Sequence, residues 1–330
     1  MMRAAVLTAP GVVELVDDWP EPECGPDDVV VAVAATGICG TDLAYVTGRR
    51  DIVEGGLVVG HEPFGTIVAV GSRVDPARIG ERVAVEPNYP CGECRPCTRN
   101  VPSLCSARRS PVVTEQGFLA ERVAVPADFA WPLPAEIGDE DAACLEPLAV
   151  AMGAIRRAGD LAERPRIAIT GAGSIGRILA DVLVRRGIVP AISDVAPERV
   201  AKAVALGARP LEEGERFDLV FESSGAAPAA EAAVELLDPL GLLVVIGVGN
   251  DAFPVGMTTL VRRGLTIVGS MIYDHPGDYA EVIETVVRGA ARPGAVLGEA
   301  FDLDHAAEAL TGAAARPDKT WIRVGSRGDA

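Results

Sequence analysis

RIAITGAGSIGRILADVLVRRG, residues 166–187, decides the fold. Its first residues read as a short buried strand that runs straight into Gly171-Ala172-Gly173-Ser174-Ile175-Gly176, and an apolar-periodic helix follows at once. Glycines at this spacing are a weak signal alone. Between a strand and a helix they form a dinucleotide-binding turn. Gly171 permits the tight bend, Gly173 lets the backbone approach a pyrophosphate, and Gly176 lets the helix pack on the strand. Ser174 and Ile175 open the helix, whose free N–H groups and positive dipole end suit phosphate. The next strand, VPAIS, ends in Asp194. A carboxylate there accepts from a ribose 2′-OH and repels a 2′-phosphate, so NAD is expected over NADP. Arg199, a helical turn further on, either touches the adenosine or is a solvated helix charge.

Outward from this turn, strands and helices alternate. PERVAKAVALG and AAEAAVELLD read as helices; FDLVFESSG, LGLLVVIGVG and GLTIVGS read as strands. That alternation predicts a parallel, doubly wound sheet, an α/β domain. The first ~150 residues differ. DVVVAVAATGIC and ERVAVEP are β-branched runs bounded by Gly, Pro and Asp, as a partly irregular β-rich domain needs. Two helices, DYAEVIETVVRG and DHAAEALTGAAA, and a strand, TWIRV, close the chain.

At 330 residues the chain is long enough for two domains. Its 30 basic and 47 acidic residues leave a net charge of −17, which argues against nucleic acid and anionic membrane as partners. No apolar run reaches ~18 residues, and the first residues lack an apolar leader, so a cytoplasmic protein is expected.

Four of the seven cysteines stand as Cys91-x2-Cys94-x2-Cys97-x7-Cys105. Thiolates at this spacing can close a tetrahedral zinc shell. Disulfides are the alternative, disfavoured where thiols are kept reduced. A four-sulfur shell has no open position, so this zinc would be structural. A second constellation is Cys39, His61 and Glu62. A thiolate, an imidazole and a carboxylate are the ligand types of an open, catalytic zinc.

Cys39-Gly-Thr-Asp42, Gly60-His61-Glu62-Pro63-x-Gly65, the four-cysteine lobe and the glycine turn occur in that order. This succession resembles the zinc-dependent medium-chain dehydrogenase/reductases over nearly the whole chain. The resemblance implies a GroES-like catalytic domain from 1–148 and 276–330, with the zinc lobe at 90–106. It implies an NAD-binding Rossmann domain at 149–275, two zinc ions per chain, a small-molecule alcohol substrate and a homodimer or homotetramer.

It also implies site residues. CLEPLAV, residues 144–150, aligns Glu146-Pro147-Leu148 with the polyol and sugar branch. Glu146 would then bind the metal directly or through water, or contact substrate. Cys144 is the alternative ligand, as in the alcohol dehydrogenase branch. Thr41 matches the hydroxyl that takes the alcohol proton. Ala44 stands where many relatives end that relay in a histidine. Glu62 could exchange onto the metal. Tyr45 and Tyr273 match substrate-side tyrosines of the sorbitol branch. Backbone around Ile246, Gly247 and Val248, and around Ser270, Met271 and Ile272, would hold the nicotinamide. Ile272 stands where that branch has an arginine, so the pocket is less cationic and suits a differently shaped, cyclic or aminated, polyol better than sorbitol itself. His275 and His305 match no motif and are expected to be surface or packing residues. The reading is a dehydrogenase of a polyol, sugar or (amino)cyclitol. Its rivals are a threonine-type amino-acid dehydrogenase and a non-catalytic, crystallin-like binding protein.

Overall fold

A computed structural model describes residues 1–325. The chain divides into two compact units, one of Met1–Glu146 with the segment from Leu297 onwards, the other Pro147–Val296.

The first unit is organised by the strand Asp28–Gly37. Val29, Val31 and Val33 are fully shielded in its apolar core. Branched side chains suit such a pleated, buried surface. The strand pairs antiparallel with Glu62–Val70, Arg122–Pro126 and Trp321–Arg323, and Arg82–Val85, Ala130–Pro132 and Phe301–Asp302 complete the seven-stranded sheet. A smaller sheet joins Val12–Trp19, Met2–Ala9 and Leu57–Val58.

The second unit contains the predicted parallel sheet. Its strand order is Arg209–Pro210, Ala191–Ser193, Ile167–Thr170, Phe217–Glu222, Leu237–Val245 and Thr266–Gly269. Every pairing in it is parallel, so all six strands end at one edge. Order reverses between Ile167–Thr170 and Phe217–Glu222, and ligands of doubly wound sheets bind at such a switch point, beyond the carboxyl ends. Helix Ser174–Arg185 leaves the glycine turn as expected.

One boundary differs from the expected one. The chain returns to the first unit at Leu297, not at 276. Helix Gly277–Val287 and the residues after it stay with the parallel sheet because polar contacts hold them there. Asp278 pairs with Arg156, the Arg292 N–H donates to Asp181 at 2.8 Å, and Arg177 donates to the Val296 carbonyl at 3.2 Å. Among the described residues, no helix is long and apolar enough to cross a membrane.

Close packing makes the glycine turn sensitive to volume. A Cβ on Gly176 would lie 1.9 Å from the Gly171 carbonyl oxygen and 2.9 Å from Ser223 Oγ. Gly176→Ala is expected to lower unfolding free energy by about 1–3 kcal/mol, the usual cost of overpacking. Urea denaturation reads this, and an unchanged midpoint would contradict the packing described.

Candidate active site

The two cysteine-containing constellations come together in space as the sequence suggests. In the lobe, one ligand atom each from Cys91, Cys94, Cys97 and Cys105 lies within 4.8 Å of all the others. The Sγ atoms of Cys94 and Cys97 are 3.5 Å apart, those of Cys94 and Cys105 3.8 Å, and those of Cys105 and Cys91 3.5 Å. A tetrahedron with Zn–S bonds of about 2.3 Å has edges of roughly 3.8 Å, so the sulfurs stand at nearly the spacing the ion requires. All seven cysteines are free, with none in a disulfide. The Cys94 thiol is drawn down to about 6, chiefly by the backbone N–H of Cys97.

The second group brings ligand atoms of Cys39, His61 and Glu62 within 4.8 Å of one another. Two pieces of local structure place them. Cys39 caps helix Gly40–Val46, and Glu62 opens strand Glu62–Val70. Asp42, fully buried, joins the pieces. It accepts from the Cys39 N–H at 2.8 Å and the Gly60 N–H at 2.9 Å, and lies 3.3 Å from His61 Nδ1. A carboxylate behind a ligand histidine fixes ring orientation and raises its basicity. Burial works against a charged His61, but Asp42 and Cys39 outweigh it and hold its pKa well above the ordinary value in the metal-free chain.

Glu62 is held from the other side by Lys319. In the ladder Gly37 is opposite both Glu62 and Trp321, and Lys319 lies just before that last strand. Lys319 Nζ donates to Glu62 Oε1 and to the Ile38 carbonyl, both at 2.9 Å. The other carboxylate oxygen lies 2.6 Å from the ammonium but outside hydrogen-bond geometry, a buried oxygen with lone pairs to spare. That oxygen, beside a thiol and an imidazole, fits a divalent cation. Burial opposes the charge on Lys319, yet Glu62 and the thiols of Cys39 and Cys144 keep its pKa above the usual lysine value. Gly37 makes room for the pair: a Cβ there would lie 2.0 Å from Glu62 Oε2 and 3.0 Å from Lys319 Cε.

Glu146 and Cys144 are both buried, and neither joins the three-residue group. Thr41 lies at the start of helix Gly40–Val46, half-buried. Tyr45 is buried in the first unit's apolar core with Arg50 over its ring at 5.7 Å. Tyr273 is buried in the second unit, edge-on to Tyr279 at 5.7 Å. His275 is half-buried and His305 exposed, as expected of residues outside the site.

In the second unit the expected cofactor segments collect at the carboxyl edge of the sheet. Gly171 has φ +94°, which favours glycine. A Cβ on Gly173 would meet nothing within 4 Å, and no side chain caps the helix that starts there. An open approach to uncapped N–H groups fits a pyrophosphate. Asp194 accepts from the Ala172 N–H at 2.7 Å and the Ala196 N–H at 2.9 Å, tying the turn to its own loop. Arg199 is half-buried on the following helix. Ile246–Val248 and Ser270–Ile272 follow the last two strands of the same edge. The buried Ser270 hydroxyl has no hydrogen-bond partner among the described residues.

Residues 25–135 match the alcohol dehydrogenase GroES-like domain, and residues 208–288 match the zinc-binding dehydrogenase domain. The starvation-sensing protein RspB of Escherichia coli (strain K12) is 30% identical over 94% of this chain and 95% of its own. The chain belongs to the zinc-dependent medium-chain dehydrogenase/reductase family. Sorbitol dehydrogenase of Bombyx mori is 31% identical over 93% of this chain and 94% of its own. An alcohol dehydrogenase (rspB) from Escherichia coli CFT073, solved with NADH, superposes with a TM-score of 0.90 at 26% identity, covering 98% and 99% of the two chains. As a member of this family the protein is an oxidoreductase, which sets aside the non-catalytic rival.

Sequence reasoning gave no role to Lys319 and none to Asp42 beyond its place in the motif. Scarcity was the available signal for Lys319: lysine occurs only at 202 and 319. Removing one partner of a buried ion pair costs about 3–5 kcal/mol. Lys319→Met is expected to lose that much stability in metal-stripped protein, and Lys319→Met with Glu62→Gln to recover part of it. Urea denaturation of the two variants checks this. A single variant as stable as wild type would contradict the pair.

Proposed function

We propose that this dehydrogenase oxidises a secondary alcohol of a polyol, sugar or (amino)cyclitol to the ketone, with NAD as hydride acceptor and two zinc ions per chain. The observation that carries the reading is the ligand set. Cys39, His61 and Glu62 bring a thiol, an imidazole and a carboxylate within 4.8 Å of one another, the ligand types of an open catalytic zinc. The sequence likeness to sorbitol dehydrogenase supports the same substrate class.

Cys39, His61 and Glu62 would hold the catalytic zinc, and Cys91, Cys94, Cys97 and Cys105 the structural one. Bound zinc supplies a Lewis acid that lowers the alcohol pKa, and bound NAD supplies the hydride acceptor. The chain's own residues do the remainder. Asp42 holds His61 and the Cys39 backbone in place. Lys319 offsets the Glu62 charge and keeps one of its oxygens engaged. Thr41 takes the alcohol proton, and with Ala44 at the usual relay position that proton leaves by water or the cofactor ribose. Glu146 binds the metal directly or through a water, or contacts the substrate. Tyr45 and Tyr273 are assigned to the substrate side. Gly171, Gly173, Ser174, Ile175 and Gly176 receive the pyrophosphate, and Asp194 with Arg199 the adenosine. Ile246, Gly247, Val248, Ser270, Met271 and Ile272 line the nicotinamide.

NADH formation against sorbitol, xylitol, myo-inositol, an inosamine, glucose and L-threonine tests the reading. Turnover is expected with a polyol or cyclitol and with NAD in preference to NADP. Turnover confined to L-threonine, or a preference for NADP, would overturn it.

Glu146→Ala is expected to lower kcat about a hundredfold, the usual scale for a substrate misplaced by about 1 Å, with NAD affinity unchanged. Cys144→Ala is expected to be nearly silent. Steady-state kinetics on both variants decides between them, and the reverse pattern would place the chain in the thiolate-ligand branch.

A further inference from the structure

Glu222 is a buried acid that the reaction as described does not use. It ends the strand Phe217–Glu222, beside Ile167–Thr170, at the point where strand order reverses. It is 1% exposed. Its carboxylate meets donors only. Oε1 accepts from the Ser224 N–H at 2.7 Å, from Ser224 Oγ, and from the Gly225 N–H at 3.2 Å, and Oε2 lies 3.3 Å from the same Gly225 N–H. No lysine, arginine or histidine among the described residues forms an ion pair with it. A buried carboxylate without a cation is costly unless its hydrogen bonds are complete, so its placement demands a reason.

The reason lies in the loops it joins. The Glu222 carbonyl accepts from the Ile246 N–H at 2.8 Å and the Gly247 N–H at 3.1 Å, while its side chain holds Ser224 and Gly225. The two loops touch with no room for side chains. A Cβ on Gly247 would lie 2.0 Å from the Gly225 nitrogen and 2.8 Å from Glu222 Oε2, and one on Gly249 would lie 2.1 Å from the Gly225 oxygen. The neighbouring Ser223 Oγ donates to the Gly171 carbonyl at 2.9 Å, which carries the connection to the pyrophosphate turn.

We infer that Glu222 is a positioning residue of the cofactor crevice, fixing the loop 246–249 that faces the nicotinamide against the loop 223–225 and, through Ser223, the glycine turn. The inference rests on the proposed NAD reading. Glu222 acts through these loops and not on the cofactor itself. Without the carboxylate the part-buried Ser224 and Gly225 N–H groups lose the acceptor that sets the loop 223–225, and the loop 246–249, which touches Gly225 with no room to spare, shifts with it.

Three variants of the full, zinc-loaded chain test it. Glu222→Ala is expected to weaken NADH binding, read by fluorescence titration, about tenfold or more. It should raise KM for NAD while KM for the alcohol and zinc content stay at wild-type values. Glu222→Gln keeps an acceptor at the Oε1 position and is expected to return NADH affinity to within about threefold of wild type. Gly225→Ala leaves the carboxylate intact but sets a Cβ 2.8 Å from the Val248 carbonyl oxygen, at a φ of +70°. It is expected to weaken NADH binding similarly, and it decides the matter if Glu222→Ala does not fold. Wild-type NADH affinity in folded Glu222→Ala, equal losses in Glu222→Ala and Glu222→Gln, or an unaffected Gly225→Ala would each overturn the inference. Failure of the wild-type chain itself to bind NADH would instead overturn the NAD reading, and this inference with it.

Discussion

The buried pair of Glu62 and Lys319 is the constraint on which the metal-binding unit depends. Two charges removed from water are tolerable only when their mutual geometry is good and their remaining hydrogen-bonding capacity is used. The ladder provides that geometry. Strand Asp28–Gly37 runs between Glu62–Val70 and Trp321–Arg323, so residues far apart in sequence are brought to adjacent rungs. Gly37 stands between the two charged side chains, and its missing side chain is the space they occupy. The pair leaves one Glu62 oxygen without a hydrogen bond, in the group it forms with Cys39 and His61 that we propose as the catalytic metal site. The strands that build the core and the residues that build the site are therefore the same structure.

A second theme recurs in both units. Asp42 accepts from the backbone at Cys39 and Gly60, Asp194 from Ala172 and Ala196, and Glu222 from Ser224 and Gly225. In each case one carboxylate draws together two N–H groups that regular secondary structure leaves unsatisfied. Such bonds are stronger than neutral ones, and they fix loops without adding bulk. Asp42 holds Cys39 and His61, the proposed ligands, in place, Asp194 shapes the turn proposed to receive the adenosine, and Glu222 links the loops at the switch point. A chain with a net charge of −17 spends several of its acids in this way, as internal anchors.

Much of this was legible in the sequence, for reasons that can be stated residue by residue. The run from Ile167 to Arg185 carries its whole structural context locally: strand, glycine turn and helix are contiguous. The four lobe cysteines lie within fifteen positions of one another, so spacing alone constrains their geometry. Cys39, His61 and Glu62 could be grouped because their residue types are rare in combination. Lys319 could not, because its partner is 257 positions away and only the ladder joins them. Glu222 was hidden for another reason: FDLVFESSG reads as a strand followed by a turn, and nothing in that run says its acid faces inward. The boundary at Leu297 follows from helix Gly277–Val287 being held to the parallel-sheet unit by the Arg156–Asp278 pair, across 122 positions, and by buried Tyr279, Val282 and Val286, contacts that leave no trace in local periodicity.

The central claim is that Cys39, His61 and Glu62 form an open metal centre separate from the cysteine lobe. The most direct measurement is zinc content per chain, by elemental analysis, in wild type and His61→Ala, with NADH binding and alcohol turnover followed on the same samples. Two zinc ions are expected in wild type, one for each group of candidate ligands. His61→Ala should lose one of them and its turnover while retaining its fold and its NADH affinity. A His61→Ala protein that keeps full zinc content and turns over alcohol at the wild-type rate would contradict it.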